Sequence, residues 1–334
     1  AGAGGAALVG FAQAGADAVS RSVQDKLRDG FVTPEDFGGD VVKAAARAFE
    51  LNRTLLLQKL YVLTKKDASG YMVPLTGGIR IRAAHPGCGL KVADGFGDYV
   101  CIIGAGMGVD LSGLDIEGVT IDHNERGNAT TANVVLVPTN LRSTLNISKV
   151  DGFSIRQNTI LDATAVNSFI VNQQGVVNGL RRGFIDANLW IDVGRDTNNV
   201  TTDHSTIYTN GSNISITNNK FYAYSFGAKG AVCAIEPHST KTFISGNEAY
   251  GFRDFINVTG ITQQGDVRDV VCADNVGEVW GSGIRLFSAT SGTHTTGYGL
   301  DGVTVRGNRV RIRQSLAPAG GQQQLGGIII QPGS

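Results

Sequence analysis

One short phrase recurs along this chain about every thirty residues, and it constrains the fold more than any other feature. It reads GVTIDHN (118–124), GFSIRQN (152–158), RGFIDAN (182–188), NISITNN (213–219), KTFISGN (241–247), DVVCADN (269–275) and GVTVRGN (302–308). Each copy ends in Asn, and three residues earlier stands Ile121, Ile155, Ile185, Ile216, Ile244, Cys272 or Val305. The Asn-to-Asn spacings are 34, 30, 31, 28, 28 and 33. A fixed phrase at a loosely kept period means that one strand and its corner are constant while loops absorb insertions. Within the phrase apolar and small polar residues alternate, the period-two pattern of a strand with one face inward. Asn suits the corner because it tolerates left-handed backbone, hydrogen-bonds locally and can stack on the Asn of the next coil. A second apolar run follows: VVLV (134–137), SFIV (168–171), AVCAI (231–235), DFINV (254–258), GIRLF (283–287) and GIIIQ (327–331). Strand, turn, strand and turn in about thirty residues is one coil of a right-handed parallel β-helix. Stacked at about 4.8 Å, such coils bury their inward residues in continuous ladders. The spacing of leucine-rich repeats and the markers of propeller blades are absent.

Composition agrees. Gly is 46 of 334 residues, about twice the usual share, with no three-residue period, so turns abound and collagen is excluded. Hydrophobic residues are 42% and charged residues 17%, unlike chains kept disordered by charge. Lys+Arg and Asp+Glu are both 29, so the basic surplus of a nucleic-acid binder and the basic face of an anionic-membrane binder are missing. No apolar run approaches the roughly 18 residues of a membrane helix. Cys88, Cys101, Cys233 and Cys272 have no CxxC spacing and read as buried free thiols, with Cys272 on the inward ladder of Ile244 and Val305.

The N-terminal third differs. Residues 1–19 are rich in Ala and Gly and lack the basic head of a signal peptide. Residues 22–28 (SVQDKLR) are a short helix candidate. Asp40 is placed to cap a helix in which Val41, Ala45 and Phe49 share a face with Val42 and Ala46, plugging the open end of the solenoid. Residues 54–63 and 78–83 read as its first strands. The apolar strand 327–331 would leave a bare edge, so the native polypeptide is expected to continue beyond residue 334.

The segment SVQDKLRDGFVTPEDFGGD (22–40) resembles the junction of many bacteriophage tailspikes. There a variant of TVQDKLRE-x-VSVKDFGA-x-GDG links an attachment segment to a pectate-lyase-like β-helix. The coils from 113 onward match in pattern only. The family's GDGxxDDT run is reduced to Gly38, Gly39 and Asp40, and of its PxGxY motif Tyr61 alone survives. The resemblance implies a virion-attachment segment and neck (1–38), a capping helix (39–53) and a parallel β-helix (54–334). It implies a homotrimer on the virion tail, made in the bacterial cytoplasm and extracellular when active. The N-terminal segment would join a tail or baseplate protein, and the β-helix would bind, and often cleave, a bacterial surface polysaccharide, capsule or O-antigen.

A glycosidase needs two carboxylates facing one sugar linkage, and matched outward positions on adjacent coils lie about 5 Å apart. The runs NVTTDH (199–204) and AVCAIEPH (231–238) end alike, so Asp203 and Glu236 are expected one coil apart on one face, each followed by a histidine, His204 and His238. In these roles Glu236 is the general acid, its pKa raised by burial, and Asp203 the nucleophile or base, held ionised by Thr201, Thr202 and Ser205. His204 and His238 would orient substrate, with Asp254 and Arg285 on later coils. Tyr222, Tyr224 and Trp280, with Trp190 and Tyr208, are candidates to stack on sugar faces. Each has a plain alternative: strand-end charge, surface histidine, salt bridge or core aromatic. The acidic groups Asp115, Glu117, Asp122, Glu125 and Asp186, Asp192, Asp196 read as turn residues. They offer too few oxygen ligands per loop for calcium, so no metal or cofactor is expected. Three functions stay open: endoglycosidic hydrolysis, a polysaccharide lyase acting on an acidic glycan with Arg285 as charge neutraliser, and a non-catalytic receptor-binding rod.

Overall fold

The computed structural model describes residues 10–11, 21–22, 30–96, 101–106, 108–124, 127, 143–147, 149–163, 169–171, 180–193, 205–224, 231–260, 267–288, 299–316 and 326–331. They form a parallel β-helix with three sheets along its length. Sheet I has nine strands, from Leu60–Leu63 and Gly89–Val92 through Leu189–Val193, Lys220–Tyr222 and Glu248–Tyr250 to Arg309–Ile312. Sheet II runs from Tyr71–Pro74 through Ser143–Ile147 and Phe169–Val171 to Phe252–Thr259, Ser282–Phe287 and Gly326–Gln331. Sheet III runs from Phe31–Val32 and Thr54–Leu57 through Val150–Arg156 and Leu180–Asp186 to Thr304–Arg306. Two long strands, Ser205–Thr217 and Ala231–Ser245, bend through both II and III. Among the described strands only the short pair Gly10–Phe11 and Arg21–Ser22 is antiparallel.

The helix Val41–Glu50 covers the first coil, packing on the strands Phe31–Val32, Thr54–Leu57 and Tyr71–Pro74. Asp40 caps it, its side chain accepting from the Lys43 N–H at 3.0 Å. The buried stripe is Val41, Ala44, Ala45 and Ala48, while Val42, Ala46 and Phe49 are exposed. The expected face is thus rotated, because only small side chains at helical spacing fit flat against the coil end. Ser22 belongs to a strand rather than a helix, and residues 23–29 lie outside the described residues.

The interior is built of ladders. Ile155, Ile185, Ile216, Ile244, Cys272 and Val305 stand in register in sheet III, and Ile207, Ile235, Ile256, Ile284 and Ile328 in sheet II. In sheet I, Trp190 stacks on Phe221 with centroids 4.7 Å apart, and Phe221 meets Phe252 edge-on. Rows exchange volume between coils: a Cβ at Gly183 would lie 1.6 Å from the Phe153 ring. All four cysteines are free and buried, and burial raises the pKa of Cys101, Cys233 and Cys272.

The corner between sheets III and I carries the asparagines. Asn158, Asn188, Asn219, Asn247, Asn275 and Asn308 form an unbroken ladder. In each step the backbone N–H and the Nδ2–H of one Asn donate to Oδ1 of the next, at 2.8–3.0 Å. Nδ2 also donates to a strand carbonyl one coil back, as Asn219 does to Ile185 at 2.9 Å. The left-handed residue is the one before each Asn, not the Asn itself: Gln157, Ala187, Asn218, Gly246, Asp274 and Gly307 have φ between 55° and 67°.

Asn124 does not join the ladder. Sheet III pairs Ile116 with Ile155, and sheet I pairs Ile121 with Ile160, so Val119 occupies the place of Asn158 one coil earlier. The Val119 N–H donates to Asn158 Oδ1 at 2.9 Å. The phrase at 118–124 matches by letter because sheet I strands alternate as sheet III strands do. Asn124 instead bonds Val92 O and Asp94. The run 134–137 lies outside the described residues, and the described sheet II strand of that coil is Ser143–Ile147.

Two stability predictions follow from this corner. Asn219→Ala removes the acceptor of two Asn188 donors and the donor to Ile185 O, and should cost about 3 kcal/mol in chemical denaturation. Ala187→Gly relieves an L-residue held at φ 55° and should raise stability by about 1 kcal/mol in the same measurement.

Candidate functional site

Glu236 lies in the long strand Ala231–Ser245, between the inward residues Ile235 and Pro237. Alternation turns it to the other side of sheet II. Register places Tyr208 beside it on the preceding coil and Asn257 on the next, with Arg285 beyond. The parallel row two residues further on holds Asn210, His238, Thr259 and Phe287. Tyr208, Glu236 and Arg285 are half-buried, while Asn210, His238, Asn257 and Thr259 are buried.

The Glu236 carboxylate gathers a network. Oε1 lies 3.2 Å from His238 Nε2 and accepts from Thr259 Oγ1 at 3.4 Å, and Oε2 accepts from Ser205 Oγ. The Tyr208 ring leans on His238, centroids 4.6 Å apart, and its OH accepts from Asn210 Nδ2 at 3.3 Å. The side chains of Glu236 and His238 are 13% and 10% exposed. Burial pushes the Glu236 carboxyl up. The hydrogen bond and charge of His238, with the hydroxyls of Ser205 and Thr259, outweigh that and leave its pKa below the ordinary value. The expected rise in pKa is therefore corrected: the apolar strand does bury Glu236, but its partners all favour the charged form. The group fits an ionised base or nucleophile, not a proton-holding acid.

The matched-position pairing of Asp203 with Glu236 is also corrected. The strand in register with Ala231–Ser245 is Ser205–Thr217, and the residue opposite Glu236 is Tyr208, with Asn210 opposite His238. Asp203 and His204 lie outside the described residues. Counting back from the corner locates the true partner, since Tyr208 precedes Asn219 by the same eleven residues as Glu236 precedes Asn247. That count, rather than the similar endings DH and EPH, is the signal that finds Tyr208.

Other candidates disperse. Asp254 is buried by a bend of the chain, where Arg253 Nε donates to it at 2.8 Å and Ser282 N at 3.1 Å. Arg285 shares the Glu236 row, two coils away, its guanidinium 5.0 Å from the Phe287 ring. Tyr222 and Tyr224 belong to a different face: Tyr222 sits in sheet I, in register with Tyr250. The Tyr222 and Tyr224 rings stack at 5.3 Å, and Tyr224 is 62% exposed. Burial, then the hydrogen bond to Glu248, pushes the Tyr222 phenol up to about 12. Trp280 is corrected as a stacking surface: it is 5% exposed, and Trp190 is fully buried in the core. Arg82 pairs with Asp115 and Glu117, and Arg156 with Glu117, so these acids knit coils together. Among the described residues no three His, Cys, Asp or Glu side chains gather as a metal site would need.

Because the folded-state pKa of Glu236 is depressed, its contribution to stability is full above the usual glutamate pKa of about 4.3 and is lost as pH falls through the lower folded value. Denaturation curves at about pH 7 and pH 3 should show a smaller acid-side loss for Glu236→Gln than for the wild type.

No protein-family model matches this chain, and no curated protein matches it in sequence. Solved structures do. The tailspike protein of E. coli bacteriophage HK620 in complex with pentasaccharide superposes with a TM-score of 0.72 at 16% identity, covering 98% of this chain and 61% of that one. A Glu-to-Gln variant of that tailspike with pentasaccharide gives 0.74 at 16% identity and the same coverage. A double variant of it gives 0.75, again at 16%. This chain thus spans about three-fifths of the length of the tailspikes it matches. Its coils, capping helix and sheet order make it a parallel β-helix with the phage tailspike fold.

Proposed function

We propose that this chain is the β-helix of a phage tailspike that binds bacterial surface polysaccharide along sheet II and hydrolyses it at Glu236. The observation that carries the reading is the Glu236 network. A carboxylate favoured in its charged form and a tyrosine share one half-buried row, with a histidine on the parallel row beside them, on the side of sheet II opposite its isoleucine ladder. Glu236 acts as the base that deprotonates water, or as the nucleophile at the anomeric carbon. Asp203, in the segment leading into Ser205–Thr217, supplies the proton to the leaving oxygen. A carboxyl separation of about 5–5.5 Å would give retention and about 6.5–9.5 Å inversion. His238 orients Glu236, Tyr208 offers a ring to a sugar face, and Tyr222 and Tyr224 contact the glycan from sheet I. The likeness of 22–40 to tailspike junctions supports a homotrimer joined to the virion tail by its N-terminal segment.

One observation favours a non-catalytic receptor-binding rod as second reading. Among the described residues, Glu236 is the one carboxylate on its row, and both its oxygens are engaged. Purified chain incubated with bacterial polysaccharides separates the cases. A hydrolase releases new reducing ends, and Glu236→Gln keeps binding while turnover falls at least about 100-fold. A lyase releases an unsaturated, ultraviolet-absorbing product. Binding without new ends supports the rod, and a Glu236→Gln variant at wild-type turnover removes Glu236 from the chemistry.

A further inference from the structure

Two amides flank Glu236 and His238 with buried oxygens that no described residue satisfies. Asn210 lies one coil below, in register with His238, and Asn257 one coil above, in register with Glu236. They are 7% and 8% exposed, and neither Oδ1 has a hydrogen-bond partner. A third amide on the Glu236 row repeats the pattern three coils below: Asn146, in register with Ile170 and through it with Tyr208, is 4% exposed with its Oδ1 unpaired. Folded proteins pair nearly all their buried polar groups, and an unpaired acceptor lowers stability. Such a departure is expected where a ligand, rather than the protein, completes the bond. The corner asparagines of the same chain are fully bonded, so an unpaired oxygen is not a property of asparagine in this fold, and the three orphaned amides among the described residues all stand in sheet II.

We infer that the sheet II row around Glu236 is a subsite for a neutral sugar, whose hydroxyl or acetamido N–H groups donate to the amide oxygens of Asn210 and Asn257. This rests on the polysaccharide reading above and adds the chemical class of the sugar. The centre of the row offers acceptors: two amide oxygens and the Glu236 carboxylate. A uronic or sialic acid placed there would set its own carboxylate against them; among the described residues the nearest cationic groups are His238, already paired with Glu236, and Arg285, one coil beyond Asn257 at the edge of the subsite. Asn210 and Asn257 are positioning residues, which hold the sugar without joining the bond-breaking step. A sugar held between them spans about two coil steps, roughly 10 Å along the rod axis.

The test uses the full chain, isothermal titration against purified neutral and uronate-containing bacterial polysaccharides, and thermal melting. Asn257→Leu and Asn210→Leu keep the branched side-chain skeleton and remove the unpaired acceptor, Asn210→Leu also removing the 3.3 Å donor to Tyr208. Each should weaken binding tenfold or more while leaving the melting temperature unchanged or raising it by a few degrees, a combination that a purely structural residue would not give. The bound polysaccharides should be neutral. Full affinity in both variants overturns the inference alone, as does a melting temperature that falls in both while affinity holds. Tight binding confined to uronate-containing polymers overturns the neutral class. Absence of wild-type binding to every polymer overturns the polysaccharide reading itself, and this inference with it.

Discussion

The asparagine corner is the interaction on which the rest of this rod depends. A corner of one left-handed residue leaves backbone donors and carbonyls that cannot be satisfied within their own coil. Here each Asn side chain closes them against the coils on either side, accepting two N–H donors from one and returning a donor to its strand carbonyl. Buried polar groups in a chain with an apolar interior tolerate no slippage, since a shift of one residue would orphan several of them at once. The ladder therefore fixes rotation and register of successive coils together. The isoleucine rows are in line because the corner is in line.

Fixed register is also what makes a site on such a surface. Tyr208, Glu236, Asn257 and Arg285 come from four different coils and stand side by side only because the corners beneath them are locked. The spacing between neighbours is then set by the sheet, about 4.8 Å, independently of the loops that connect the strands. Insertions can alter those loops while the row keeps its geometry. The electrostatics follow from the same packing. Glu236 is removed from water by adjacent coils, yet those coils supply Ser205 and Thr259, and its own strand His238, to hold its charge. Desolvation and hydrogen bonding act in opposite directions, and the partners win.

Much of the fold was legible. The repeated phrase specifies the sheet III strand, the corner and the parallel stacking, and Asp40 followed by an apolar run specifies the capping helix. The same letters misled at 118–124, where Gly118 and Val119 make the corner and the phrase runs on into sheet I. The helix face was misjudged because hydrophobicity alone placed Phe49 inward, whereas the flat coil end accepts alanines. Of the site, Glu236 and His238 were legible as polar residues alternating with Ile235 and Pro237. Tyr208 was legible only by counting from the corner. Asn257 was not, because the stretch between it and Asn275 is longer than in the two preceding coils and breaks the count.

The sequence by itself determined what is local and periodic: strands of alternating residues, asparagine corners, a capped helix, and a chain unable to bury its inward face except by stacking. Only the tertiary structure decided which residues of different coils meet, and hence the charge state of Glu236, the burial of Trp280 and the separation of Tyr222 and Tyr224 from the Glu236 row. The reason is physical. Periodicity sets which side of a strand a residue faces, but loops of unequal length lie between the strands. The neighbour across the sheet, and the solvent it excludes, depends on how many residues each loop absorbs before the next corner locks.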